Sequence, residues 1–355
     1  MDHYRAGQLD QANVIYDRVL ARDFNNYEAL EWSGEIAIQQ DDYARAADHL
    51  GRAKKVKPKT FEDFANLGLA YYELDQPIEA VANLLAAIQL DAEDLVAHSN
   101  LGKALYELHN AGHVGDAIEI ASKWAREFAH IPDARHMGAA VAGLIPPDRA
   151  DEVFVTETFD DFSEDFDKKL AELNYRAPEL IGALITKTLG DAKGGLQVLD
   201  AGCGTGLAGP YLRPYAEQLI GVDLSQKMLD KAIIRGGYDA LLQAELITYL
   251  KTHKTSYDLC VAADVLCYFG ELVSVFKATA ASLKSLGYFS FSLEVDGNDD
   301  AGYQLHASGR YVHGESYIRK CLAAAGFTLL TVNYETLRTE YAKPVYGVVV
   351  IAQIS

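Results

Sequence analysis

The residues with the densest chemistry lie in one short stretch, Leu199-Asp200-Ala201-Gly202-Cys203-Gly204-Thr205-Gly206. An acid stands two residues ahead of three glycines at alternate positions. Glycine permits positive φ and lets a ligand approach the backbone closely. The acid decides which ligand. A GxGxxG turn cradles a diphosphate, but Gly202, Gly204 and Gly206 do not meet that spacing cleanly, and the Asp200 carboxylate would repel a diphosphate. It suits a ligand bearing an ammonium and a sulfonium. About twenty residues on, the run QLIGVD ends in Asp223, where an acid can take ribose hydroxyls. A further apolar run, YDLCVAAD, ends in Asp264.

Strands and helices in alternation must position these acids. From residue 196 short apolar runs alternate with helical patterns, the signature of a parallel α/β sheet. Residues 196–199 read as the first strand, and the glycines lead into a helix whose N-terminus offers unpaired N–H groups. Open sheets of this kind bind ligands at the carboxyl ends of their strands. GYFSFSLE (287–294) reads as a fifth strand and ESYIRKCLAAAGF as a helix ending at Gly326. TLLTVNYETLR and PVYGVVVIAQ read as a closing pair of strands.

The first 140 residues have a different rhythm. Gly34, Gly68 and Gly102 fall 34 residues apart, inside the related texts ALEWSGEIAI, DFANLGLAYY and AHSNLGKALY. Each text reads as an amphipathic helix with a small residue where a neighbouring helix comes close. A second helix follows, and Ala46/Ala80, Leu50/Leu84 and Ala53/Ala87 keep the same period. Pro58 closes one unit. In the last unit HNAGHVGDAIEIA carries about three extra residues, and a helix at about 132–143 would cap the array. GLIPPDRAD (143–151) reads as a linker. After it, Phe159, Phe162 and Phe166 recur at three- and four-residue steps, one face of a helix.

Composition narrows the partners. The net charge of −19, from 51 acidic against 32 basic residues, works against a phosphate backbone or an anionic membrane surface. No nucleic-acid or membrane partner is therefore expected. Cys203, Cys260, Cys267 and Cys321 show no CxxC spacing and read as reduced packing residues of a cytoplasmic protein, with no metal site. The N-terminus does not read as a signal peptide, and no apolar run approaches the ~20 residues that span a bilayer.

Two resemblances follow from these motifs. Residues 1–125 resemble tetratricopeptide repeats, which implies an α-helical solenoid with a groove that takes a protein or peptide, or a surface for a homodimer. Residues 150–355, through VLDAGCGTG, Asp223 and Asp264, resemble a class I S-adenosylmethionine (SAM)-dependent methyltransferase. The fusion is similar to bacterial methyltransferases that carry tetratricopeptide repeats. The resemblance implies a Rossmann-like, mostly parallel seven-stranded sheet with its final strand antiparallel at the edge. The expected organisation is repeats at 1–143, linker and lid helix at 144–178, and the methyltransferase domain at 179–355.

The same resemblance implies a cofactor site for SAM. Ala201, Gly202 and Cys203, with Gly204 and Gly206, would line the methionine part, and Asp200 would reach its amino group. Asp223 would hold the ribose. Leu224 and Met228 would sandwich the adenine, with Ala244 and Glu245 beside its amine. Asp264 and Val265 would lie under the methionine chain. An FDxxSxxFD-like segment in such enzymes forms a lid, which would bring Phe159 and Tyr175 to the site; the alternative is that this phenylalanine face is ordinary core. No NPPY-like motif follows Asp264; CYFG stands there, which lowers the expectation of amino-methylation of nucleobases or glutamine. The acceptor is expected near LEVDGNDDAGYQLHASGRYVHGESYI, where RYVH resembles a family segment. Arg310 could hold an acceptor carboxylate or phosphate, His313 could act as base, and Tyr311 stands between them. The bland alternative pairs Arg310 with Glu294 or Asp296 and makes His313 a helix cap. The run 296–300 reads as a solvated loop.

Overall fold

The computed structural model describes residues 2–57, 60–163, 165–297 and 302–354. Pro58 and residues 298–300 of the acidic run lie outside them. The chain divides into two compact units, Met1–Leu144 and Ile145–Ser355.

In the first unit the described residues form helices. The longer ones are Leu9–Leu20, Tyr27–Gln39, Tyr43–Val56, Phe61–Glu73, Pro77–Leu90, Leu95–Asn110, Val114–Glu127 and Pro132–Ala142. Their starts are written in capping residues. Asn26, Thr60 and Asp94, again 34 apart, accept the N–H of Ala29, Asp63 and Ala97, so one donor left free at each helix start is satisfied. Consecutive helices pack on one another, and alternate ones also meet. A Cβ built on Gly34 would stand 2.6 Å from Leu50 Cγ, and one on Gly68 2.6 Å from Leu84 Cγ. The period is therefore a packing period. The third unit breaks it: its second helix starts at Val114, 37 residues after Pro77, where the second helices before it start 34 apart, at Tyr43 and Pro77. There Gly102 faces Trp124 and Met137 instead of a leucine.

The second unit is built on one sheet. Its strands are β1 Leu196–Ala201, β2 Ala216–Asp223, β3 Ala240–Gln243, β4 Tyr257–Ala262, β5 Leu283–Glu294, β6 Tyr303–Leu305, β7 Tyr311–His313, β8 Phe327–Glu340 and β9 Lys343–Ile354. The strands β3-β2-β1-β4-β5 are parallel neighbours; β9 lies antiparallel against β5, and β8 antiparallel against β9. Side chains alternate between two cores, as a pleat requires. Val198, Val261 and Ile351 pack on one side with Ile181 and Ile185 of the helix Ala177–Leu189. Leu199, Cys260 and Val350 pack on the other with Phe276, Ile318 and Leu322 from the helices Val273–Ser282 and Glu315–Ala324.

Several expectations are corrected here. The sheet is mixed and, among the described residues, has nine strands, not seven. The extra pair is the hairpin β6–β7, which joins β5 at Glu294↔Val312 and lies in the stretch expected to take the acceptor. The last strand, β9, is internal because β8 covers its far side. The helix after the glycines is a single turn, Gly209–Leu212, too short to focus a helix dipole on the turn. The phenylalanine face belongs to two helices, Glu152–Phe162 and Phe166–Glu172, not one. The expected linker is stitched to the sheet unit at its end: the Asp148 carbonyl accepts from the Gly270 and Glu271 N–H groups, and the Ala150 N–H donates to the Tyr268 carbonyl, all at 2.8 Å. Among the described residues no helix is long and apolar enough to cross a membrane.

The packing role of the 34-residue glycines makes a contrast testable. Gly34→Ala should destabilise the helical unit by about 1–3 kcal/mol through overpacking. Gly51→Ala, where the nearest atom is 3.9 Å away, should hold or raise stability because alanine favours the helix by about 1 kcal/mol. Thermal unfolding followed at the helical circular-dichroism band checks this; equal melting shifts would contradict it.

Candidate active site

The site is assembled at the point where the strand order reverses, beside β1. Gly202 has φ +72°, and a Cβ there would collide with Val265, so the turn demands glycine. The turn is tied to the end of β2. The N–H groups of Gly202 and Cys203 donate to the Val222 carbonyl at 2.7 and 3.0 Å. The Gly204 N–H donates to Asp223 Oδ2 at 2.8 Å, and the Ser225 N–H to Oδ1 at 2.9 Å. Burial raises the pKa of Asp223 against the pull of these N–H groups.

Asp200 is only 1% exposed. Its Oδ2 accepts the Tyr238 hydroxyl at 2.5 Å, while Oδ1 is buried with no hydrogen-bond partner. Burial pushes its pKa up to about 7, against the Tyr238 hydrogen bond. A buried carboxylate oxygen without a donor is costly, and Asp200 lines the cavity.

That cavity holds about 1170 Å³ of empty space, counting its open mouth. One wall is the turn itself, through Asp200, Gly202, Cys203 and Gly204. Asp223, Leu224, Ala244 and Glu245 supply another, at the ends of β2 and β3. Glu245 caps the helix Leu246–Thr252 by accepting from the N–H groups of Ile247 and Thr248, and it pairs with Arg149 at 2.8 Å. A third wall, after β4, is Asp264 and Val265; Asp264 sits at φ +58° and its N–H donates to Ser292 Oγ.

Phe159 and Tyr175 close the cavity, together with Phe166, which sequence reading had not assigned to the site. Phe159 meets Phe166 at 6.0 Å and Tyr268 at 5.6 Å between ring centroids. The two covering helices are latched on both sides. Ser225 Oγ donates to Asp160 at 2.5 Å, Thr205 Oγ1 donates to Asp167 at 2.6 Å, and Arg235 pairs with Asp167.

Five expected residues do not line the cavity. Ala201 and Gly206 stay in the strand end and turn behind it. Met228 is fully buried under the helix Gln226–Arg235, so Leu224 faces the cavity without it. Tyr311 is fully buried and its hydroxyl donates to the Pro147 carbonyl at 2.6 Å. His313 is 1% exposed; its Nε2–H donates to the Phe269 carbonyl at 2.8 Å, and burial pulls its pKa down to about 4. Placed in β7, Tyr311 and His313 act as packing residues, and His313 does not cap the helix after it, whose N-cap is Gly314.

Arg310 does line the cavity, but its guanidinium is already paired with acids. Nη1 pairs with Glu340 at 2.7 Å and Nε lies 3.8 Å from Glu294. The reason is a residue the sequence did not single out. Arg338, 1% exposed, pairs with Glu294 and Glu340 at 2.6 Å each and lies 3.7 Å from Asp264. Two arginines and three acids thus form one network under the cavity floor, and Arg310 is held as a structural cation rather than left to grip an acceptor carboxylate. Asp264, Cys267 and Glu294 lie close enough together for a cation, and the Arg338 guanidinium already meets the two carboxylates. Arg338 gave no local signal because its partners Glu294 and Asp264 are far away in sequence.

The network predicts a pH dependence. Burial alone would raise the pKa of Glu340, but Arg310 and Arg338 outweigh it and hold it below its usual value. A depressed carboxylate contributes stability above its unfolded pKa of about 4.3, and this is lost as pH falls through the folded value. Glu340→Gln should therefore cost on the order of 3 kcal/mol at neutral pH, by leaving buried arginines under-compensated. Its stability should also fall less steeply than that of the unsubstituted protein below about pH 5. Denaturant titrations at pH 7 and pH 4 measure both, and parallel losses would contradict the assignment.

The chain is similar to known proteins over part of its length. Methyltransferase-like protein 27 of Homo sapiens is 36% identical over 116 residues, which is 32% of this chain and 45% of that protein. The 18S rRNA (guanine-N(7))-methyltransferase of Bos taurus is 32% identical over 97 residues, 22% of this chain and 34% of that protein. The chain spans less than half the length of either relative. The solved magnesium protoporphyrin IX methyltransferase of Synechocystis PCC 6803 with bound SAH is similar at a TM-score of 0.46 and 20% identity, covering 58% of this chain and all of that one. Residues 199–291, from the end of β1 into β5, match the family model described as a methyltransferase domain. The α/β unit carries a methyltransferase domain.

Proposed function

We propose that the chain transfers a methyl group from SAM to an acceptor. The observation that carries this reading is the buried Asp200 Oδ1, a hydrogen-bond acceptor with no donor, at the end of β1. It fits the ammonium of SAM and would oppose a diphosphate. The charge around it agrees: five acids and two arginines line the cavity, Glu152, Asp200, Asp223, Glu245 and Asp264 against Arg149 and Arg310. Buried anions of this kind favour a cationic ligand.

When bound, SAM supplies a methyl carbon on a positively charged sulfur, a good leaving group. Asp200 would hold the amino group and Asp223 the ribose hydroxyls. Leu224 would pack on the adenine, beside Ala244 and Glu245. Asp264 would lie along the methionine chain, fixed by Ser292 and faced by Arg338. Phe159, Phe166 and Tyr175 would exclude water from the reacting end, where most of the rate gain comes from proximity and orientation.

For the first unit, we read the helix pairs as tetratricopeptide repeats that recruit a protein or peptide carrying the acceptor. The 34-residue recurrence of Gly34 and Gly68 against Leu50 and Leu84 supports it, because stacked helix pairs commonly make concave binding surfaces. The aromatic cover of the cavity favours a second reading, a small-molecule acceptor with the repeats used for dimerisation. The net charge of −19 argues against a nucleic-acid acceptor in either case.

The test is labelled SAM added with the full chain to a cell extract, followed by size separation. Label in protein-sized material supports recruitment, and label only in metabolite-sized material supports the second reading. SAM binding with no label in any fraction overturns the transfer and supports a non-catalytic SAM-binding scaffold, and absence of SAM binding overturns the site itself. Asp223→Ala should weaken SAM binding by roughly 10- to 100-fold, the loss of hydrogen bonds to a charged group; unchanged calorimetric affinity would remove Asp223 from the ribose.

A further inference from the structure

Tyr238 holds Asp200 from outside the cavity, and the chain is shaped around it. It lies between the helix Gln226–Arg235 and β3. A Cβ on Gly206 or Gly209 would stand 3.0 Å from its Cε2, and one on Gly221 would stand 3.0 Å from its Cδ1. The ring is therefore wedged between the turn, the short helix after it and β2. This seat delivers the hydroxyl to Asp200 Oδ2 at 2.5 Å. Packing alone would be served by a phenylalanine; the hydroxyl adds a fixed orientation for a carboxylate that is only 1% exposed. With Oδ2 engaged, Oδ1 is the oxygen left without a partner.

We propose that Tyr238 is a positioning residue of the cofactor site, whose hydroxyl turns the free oxygen of Asp200 toward a positively charged ligand group, and that capture of this group drives off whatever proton Asp200 carries in the free protein. The inference rests on the SAM reading of the same site. The proton balance is simple: the carboxylic acid becomes a carboxylate, the proton passes to buffer, and the ligand ammonium takes its place as the compensating charge. The groups that act on Asp200 agree with this. Asp223 at the end of β2 repels a second negative charge. Cys203 in the turn and Cys260 in β4 are thiols kept protonated by burial. The described lining cations, Arg149 and Arg310, pair with Glu152, Glu245 and Glu340. The balance therefore tips on whether a cation sits beside Oδ1.

The sign follows from linkage. Burial holds the Asp200 pKa at about 7, and the Tyr238 hydrogen bond lowers it from where burial alone would put it. Removing that bond moves the value up, so a cation must displace a more tightly held proton. The experiment is calorimetric titration of the full chain and of Tyr238→Phe with SAM between pH 6 and pH 9, in paired buffers of different ionisation enthalpy. The unsubstituted chain should bind and release on the order of half a proton near pH 7, as expected for a group half-titrated there. Tyr238→Phe should release more, bind several-fold more weakly at pH 7, and recover to within about twofold at pH 9, since one pKa unit is worth about tenfold. Titration of the ligand's own amine cancels in the ratio of the two affinities. Asp200→Asn should abolish the extra proton release, and it serves if Tyr238→Phe does not fold. A ratio that is constant across pH, or binding with no proton released, overturns the proposal while leaving the SAM site standing. No SAM binding by the unsubstituted chain overturns both.

Discussion

A carboxylate enclosed at the carboxyl end of β1 is the constraint around which the second unit is organised. Asp200 is buried, hydrogen-bonded through one oxygen and unsatisfied at the other. Buried polar atoms without a partner are uncommon in folded proteins, and on the proposed function a bound cation completes this one. Neighbouring features follow from holding it there. The glycine turn bends the backbone away from it, Asp223 pins the turn through the Gly204 N–H, and three glycines open a seat for the tyrosine that fixes its direction.

A second charged layer lies below. Arg338 and Arg310 bring together Glu294, Glu340 and Asp264 from β5, β8 and the loop after β4. Buried ion pairs are a weak source of stability, but breaking one is expensive. Their effect here is geometric. They join the long β8–β9 pair to the parallel half of the sheet at the place where the cavity floor must be rigid. They also explain why an arginine that lines the cavity does not offer a free fork to an anion. On the proposed function, recognition of the acceptor would fall to the covering helices and to the aromatic side chains that meet there.

Much of this was legible in the sequence where the signal is local. Repeating glycines marked helix contacts because a close approach needs a small residue on one partner. Asp200, Gly202, Gly204, Asp223 and Asp264 announced the cavity because each sits where a strand ends and a turn begins. What was not legible depends on tertiary context. Phe159 and Phe166 keep a helical period across a break between two helices, and period alone does not record the break. The dense polar text around His313 looked reactive, but β7 folds His313 and Tyr311 into the interior. Met228 belongs to the core for the same reason that made it look like an adenine wall: it is an apolar residue near the start of a helix that packs on the sheet. Arg338 has one of its acids, Glu340, two residues away in the same strand, but Glu294 and Asp264 reach it only through the fold.

The most direct check on the central claim is a crystal structure of the full chain grown with SAM. The account places the ligand's amino nitrogen against Asp200 Oδ1, at the roughly 2.7–2.9 Å of a charge-assisted hydrogen bond, with the nucleoside running toward Asp223. A turn left empty while SAM binds elsewhere, or one that instead takes the diphosphate of a dinucleotide, would contradict it.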